Sequence, residues 1–196
     1  MIYDIVQVGD PVLRRPARPV EVDDIVRPFL QELIVSMRHT MYDAPGVGLA
    51  APQVGESLQV LVLEDGPEYL DSMSRARRAE LRRDPLPFAV LINPRLETVG
   101  EETDEAFEGC LSISGYAGVV RRNRTVRVHA VDATGSPVSM TLEGWPARIV
   151  QHEIDHLAGV LYVDRMDMRT FTTTDNLGRW FKARPIDEVR AILTPG

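Results

Sequence analysis

The sequence predicts an α+β domain: short-stranded antiparallel or mixed sheets packed around one central helix, with another helix near the N-terminus and a C-terminal tail. Three observations predict it. The apolar patterns run helix, then several strands, then helix, without the strand–helix alternation of a parallel α/β sheet. The 196 residues are 44% hydrophobic and 26% charged, which suits one ordinary core. The segment His152-Glu153-Ile154-Asp155-His156 sets two histidines one helical turn apart inside the second helical pattern.

Residues 1–20 read as an extended arm, because Pro11, Pro16 and Pro19 would each break a helix. Between Asp24 and Asp43 the residues Ile25, Phe29, Leu33, Met37 and Met41 recur every four positions. With Leu30 and Ile34 they form one broad helical stripe. Asp23 or Asp24 can cap that helix, Pro28 suits its first turn, and Gly46 and Gly48 end it. Strand-like runs follow at Leu58–Leu63, Phe88–Ile92, Arg95–Val99, Val119–Arg121, Thr125–Asp132 and Val138–Leu142. Turn residues such as Thr134-Gly135-Ser136-Pro137 separate them.

Asp65–Pro87 is dense in arginine and acidic residues and reads as a solvated loop with a short charged helix. A second helix is expected from Pro146 to Leu157, ended by Gly159. The tail from Met166 is polar, punctuated by Phe171, Trp180 and Phe181, with a helical patch at Ile186–Leu193. It is expected to pack across the body, so that residues 1–196 form a single domain with 166–196 as its C-terminal extension.

Composition excludes several classes. A formal charge of -7 argues against non-specific nucleic-acid binding, which needs a basic footprint. No run of about 18 apolar residues exists to span a membrane. The N-terminal stretch lacks the basic-then-apolar pattern of a signal peptide. Cys110 is the single cysteine, so an internal disulfide is impossible, and a reducing cytoplasm is the expected setting.

The chemistry concentrates in three segments. On a helix, His152 and His156 share a face and can reach one metal ion, while Glu153 can lean over an open coordination position. A carboxylate there can take a proton from metal-bound water and pass it to a leaving amine. A catalytic metal usually has three protein ligands. No histidine follows His156; the third ligand is either an acidic residue downstream (Asp164, Asp167, Asp175, Asp187 or Glu188) or Cys110, whose thiolate suits divalent iron, zinc, nickel or cobalt. In Gly46-Val47-Gly48-Leu49-Ala50-Ala51-Pro52-Gln53, the glycines allow close backbone approach and Gln53 offers an amide donor for an oxyanion. The segment lacks the third glycine of a dinucleotide fingerprint.

GVGLAAPQ at 46–53, EGCLS at 108–112 and QHEIDHLAGVLYVDR at 151–165, in that order, resemble peptide deformylases of the bacterial, metal-dependent type. Val8-Gly9-Asp10-Pro11-Val12-Leu13 and Ile92-Asn93-Pro94 are similar too, so the likeness covers most of residues 5–165. The resemblance implies that Cys110, His152 and His156 hold one divalent metal, Fe2+ in the cell, with Zn2+, Ni2+ or Co2+ able to replace it. It implies that Glu153 is the general acid/base, while Gln53 and the Leu111 backbone N–H stabilise the oxyanion formed as metal-bound hydroxide attacks a formyl carbon. Gly46, Val47 and Gly48 would bind peptide backbone, with Trp145, Arg148 and Ile149 near the methionine pocket or its rim. The implied substrates are formyl-methionyl nascent peptides near the ribosome exit, with formate released by a cytoplasmic monomer.

Two positions depart from the family pattern. Ser114 stands where many members have proline, and Ala117 where some have a substrate-contacting arginine. The rival readings are a metalloprotease with a downstream acidic ligand and a binding module with a structural metal.

Overall fold

The run Val60-Leu61-Val62-Leu63 has no polar alternation, which a strand tolerates only where both its faces are covered. The computed structural model, which describes residues 1–71 and 73–193, shows how they are covered. Position 72 of the charged insert and positions 194–196 of the tail lie outside the described residues.

In chain order the elements are α1 (Pro28–Asp43), β1 (Gly48–Ala50), β2 (Val60–Asp65), α2 (Pro67–Asp71), α3 (Arg75–Glu80) and β3 (Leu86–Thr98). Then come β4 (Thr103–Cys110), β5 (Ile113–Asn123), β6 (Thr125–Val131), β7 (Pro137–Glu143) and α4 (Trp145–Leu157). The tail adds β8 (Thr172–Thr173), the single turn α5 (Thr174–Asn176) and α6 (Ile186–Leu193). One five-stranded sheet runs β1-β2-β3-β6-β7 and one three-stranded sheet runs β4-β5-β8, and every strand pairing in both is antiparallel.

Val60 and Val62 pack in one cluster with Leu33, Met37 and Met41 of α1. Leu61 and Leu63, on the opposite face, pack with Ala147, Val150 and Leu157 of α4. The apolar run therefore serves two cores, and α4 is fixed against the larger sheet.

α1 starts at Pro28, later than the Asp24 start read from the periodicity. A residue before proline is disfavoured in the helical region, and Arg27 is extended (φ -73, ψ 147). Ile25 is buried outside the helix, while Phe29 points to solvent at 57% exposure. The two runs at 88–92 and 95–99 are one strand, β3, whose register shifts between Ile92 and Arg95. Asn93 sits there at φ +51, a conformation asparagine tolerates, and its side chain bonds both the N–H and the carbonyl of Val20, pinning the arm.

The tail packs on the smaller sheet. β8 pairs with Tyr116 and Ala117, Phe181 stacks on Phe107 with centroids 6.1 Å apart, and Val189 is buried. No helix among the described residues is long and apolar enough to cross a membrane.

Candidate metal centre and its cleft

α4 begins just after Gly144 (φ +64), carries Pro146 in its first turn, and is followed by Gly159 (φ +75). Within it His152 and His156 stand one turn apart, with ring centroids separated by 5.0 Å. Cys110 ends β4, at the tight turn into β5, and comes from the other sheet. One ligand atom from each of Cys110, His152 and His156 lies within 4.8 Å of the others. The Cys110 Sγ to His156 Nε2 distance is 3.3 Å. Sulfur and nitrogen ligands bound tetrahedrally at ~2.3 and ~2.1 Å would sit roughly 3.6 Å apart, so the donor set fits a divalent metal.

A buried carboxylate orients the cluster. Glu108 accepts from His152 Nδ1 at 3.0 Å, from Arg122 at 2.9 Å through both of its oxygens, and from Arg148 at 2.7 Å. Because a carboxylate only accepts, Nδ1 carries the proton and Nε2 of His152 is left for a metal. Burial opposes ionisation of Glu108, but the bonds from Arg122 and His152 outweigh it and hold the carboxyl well below its usual range. Arg122 continues the web to Asp155 at 2.5 Å, and Asp155 also accepts from Arg165 at 2.6 and 2.7 Å. Burial likewise keeps His156 neutral, pushing it well below the usual histidine range.

Glu153 is buried beside this set, and its Oε2 has no hydrogen-bond partner among the described residues. Burial pushes its carboxyl up to about 7. Gly48 is what lets it lie there: a Cβ on Gly48 would fall 2.5 Å from Glu153 Oε1 and 2.8 Å from its Cγ. Gln53 accepts from the Ala50 N–H at 2.8 Å, which aims its amide nitrogen at Cys110 Sγ (3.5 Å) and Ser112 Oγ (3.3 Å).

These groups open on a cavity of about 430 Å³. Gly46, Val47, Gly48, Gln53, Leu111, Trp145, Arg148 and Ile149 all line it, together with Cys110, His152 and Glu153. His156 lies beneath, 1% exposed. Arg148 reaches the cavity, yet its guanidinium is turned inward, bonding Glu108 and the carbonyls of Val120 and Asp104. Ala117 is 2% exposed and covered by β8.

Several residues here were not singled out from the sequence. Arg122 gave no signal, because arginine in a strand is ordinary, and Arg165 ended a quoted motif without a role. Glu108 and Asp155 fell inside quoted motifs without roles. Tyr69 and Arg83 come from the segment expected to be a solvated loop, Tyr116 from β5 and Thr174 from the tail, yet all four line the cavity. The expectation of mere solvation for 65–87 is therefore corrected: Asp65 is fully buried, and Arg83 pairs with it.

An antiparallel α+β fold with a Cys-His-His cluster and a buried glutamate beside it is the frame of a hydrolase. The model of the polypeptide deformylase family matches residues 2–171. Peptide deformylase 1 of Streptomyces coelicolor is 48% identical over 183 residues, 92% of this chain and 81% of that protein. Chloroplastic peptide deformylase 1A of Solanum lycopersicum is 45% identical over 174 residues, 89% of this chain but 63% of the relative's length. A Met-Ala-Ser-bound class I type b peptide deformylase from Acinetobacter baumannii superposes with TM-score 0.75 at 33% identity, covering 85% of this chain and 99% of the other. An actinonin complex of the Synechococcus elongatus deformylase gives TM-score 0.69 at 40% identity, over 85% of this chain and 80% of the other. The chain belongs to the polypeptide deformylase family.

Proposed function

We propose that this chain removes the N-formyl group from the N-terminal formyl-methionine of new polypeptides and releases formate. The observation that carries the reading is the Cys110-His152-His156 cluster, half-buried at Cys110 and His152 and buried at His156, with the Glu153 carboxyl beside it in the cleft. Cys110, His152 and His156 would hold a divalent metal, which would supply Lewis acidity towards water and the formyl carbonyl. Thiolate and imidazole donors suit iron, and Fe2+ is our assignment for the native ion.

The rest is the work of this chain's own groups. β1 is an end strand of its sheet, so residues 46–48 can pair with an extended peptide as an added strand. Glu153 accepts a proton from the attacking water as oxygen adds to the formyl carbon. When the C–N bond breaks, the same carboxyl returns the proton to the leaving amine. A carboxyl pushed up to about 7 can do both near neutral pH. The amide of Gln53 and the backbone N–H of Leu111 stabilise the charge that develops on the carbonyl oxygen. Trp145, Ile149 and Val47 line the cavity that receives the methionine side chain.

The same reading takes residues 1–196 as one catalytic domain, a cytoplasmic monomer working near the ribosome exit. Its test is formate release from formyl-methionyl-alanyl-serine by protein loaded anaerobically with ferrous iron, beside Glu153→Ala. The expected result is activity in the parent and a loss of at least about 10²-fold in the variant with metal retained. A folded, metal-loaded parent that releases no formate would overturn it.

A further inference from the structure

The charged insert between β2 and β3 reaches the cleft with two side chains, Tyr69 and Arg83, and Arg83 is the one that meets α4. Asp65, at the end of β2, is fully buried, and Arg83 meets it with two hydrogen bonds, Nε to Oδ2 at 2.7 Å and Nη2 to Oδ1 at 2.8 Å. That two-pronged geometry fixes the plane of the guanidinium. Its Cζ lies 5.2 Å from the centroid of the Trp145 ring, within cation–π range. Trp145 and Arg83 both line the cavity, and Trp145 is the first residue of the helix that carries both histidines.

The backbone is locked at the same place. Arg82, at φ +46, presents its carbonyl to the Trp145 N–H at 3.3 Å. A Cβ on Gly144 would fall 2.3 Å from Arg82 Cβ, so the insert and the start of α4 touch with no room for a side chain. Arg78 Nε in turn bonds the Arg83 carbonyl at 3.1 Å. The indole Nε1 of Trp145 is buried with no hydrogen-bond partner among the described residues. Packing and the Arg83 face therefore orient the ring, without help from a hydrogen bond.

We propose that Arg83, anchored on Asp65, is a positioning residue that holds Trp145 at the cleft wall and so sets how bulky an N-terminal side chain the enzyme accepts. The inference rests on the deformylase reading, but it concerns a residue that reading does not use. With Arg83 in place the wall is stiff and the cavity takes an unbranched side chain. Without it the indole can swing, and the cavity admits wider ones.

The experiment compares kcat/KM for formyl-methionyl-, formyl-norleucyl- and formyl-phenylalanyl-alanyl-serine in the iron-loaded parent, Arg83→Met, Arg83→Lys and the double variant Asp65→Leu with Arg83→Met. The double variant leaves no unpaired buried carboxylate, so it decides the matter if the single variant does not fold. The preference for methionine over phenylalanine should fall about tenfold in Arg83→Met and in the double variant, mainly through KM. Arg83→Lys keeps the charge but not the two-pronged bond and should fall between. In a Trp180→Phe background, where Trp145 is the remaining tryptophan, the anisotropy of its fluorescence should drop with the same ranking. An unchanged methionine-to-phenylalanine ratio in the folded variants, even with lower overall rates, would overturn the proposal. A parent that releases no formate would sink the functional reading instead, while the Trp145 anisotropy would still report whether Arg83 holds the ring.

Discussion

Two of the arginine–carboxylate webs in this molecule, one at its centre and one at its edge, differ in what surrounds them. At the centre, Glu108 gathers Arg122, Arg148 and His152, with side-chain exposures of 4, 5, 5 and 11%. At the edge, Arg190 of α6 joins Glu105 of β4 and Asp167 of the tail, with exposures of 26, 19 and 33%. The chemistry of the contacts is the same, but the charges around Glu108 are far less exposed to water than those around Arg190. A buried web cannot lose one member without stranding a charge in a poorly solvating interior, whereas solvent covers the loss at an edge.

The comparison would break first at Glu108. Glu108→Ala should cost about 3–5 kcal/mol, because two arginines lose their buried counter-charge. That corresponds to a fall in thermal midpoint of roughly 6–20 °C for a chain this long. Metal content measured after dialysis should fall with it, since His152 loses the acceptor that orients its ring. A midpoint within a degree or two of the parent would show that burial does not set the value of this web.

Gly48→Ala sharpens the comparison from within the centre, because it disturbs geometry without removing a charge. The new Cβ would overlap Glu153, so kcat should drop by about 10²-fold. Metal stoichiometry should stay at the parent level. Loss of metal and activity together would mean that the displacement spreads to the histidines.

At the edge, Arg190→Met should cost less than about 1 kcal/mol, a few degrees in midpoint at most, and less still in high salt. This web also predicts a pH dependence. Glu105 is partly buried, which opposes ionisation, but bonds from Arg190 and Arg121 outweigh that and lower its carboxyl; Asp167 is lowered by the Arg169 backbone N–H and by Arg190. Depressed carboxyls contribute stability that is present above the unfolded-state pKa of about 4 and lost as pH falls through the lower folded values. The difference in midpoint between parent and Arg190→Met should therefore persist at pH 6 and shrink towards pH 3. A difference that grows on acidification would contradict the assignment.

The centre was also the more legible region. His152, Glu153 and His156 could be placed on one helix from spacing alone, since helical geometry is local. Both long helices and most strands of the larger sheet followed from apolar periodicity. β4 did not, because its inward positions are Ala106 and Glu108, and a charge on the core face hides the alternation that marks a strand. β1 escaped for a different reason: it is three residues long and reads as the end of α1. The insert at 65–87 looked solvated because its composition is charged, and composition says nothing of where a buried partner such as Asp65 waits.

By itself the sequence determined the α+β class, the helix with its histidine pair, the three motif segments and the family they resemble. The helices and strands depend on local periodicity, the histidine pair on spacing within one turn, and the class and the resemblance on the order of elements and motifs along the chain. Only the tertiary structure decided that Cys110 meets the histidines, that Glu108 orients His152, that Gly48 makes room for Glu153 and that Arg83 leans on Trp145. Those contacts join residues far apart in the chain, and their partners are fixed by how two sheets close on one helix, a constraint that no local pattern carries.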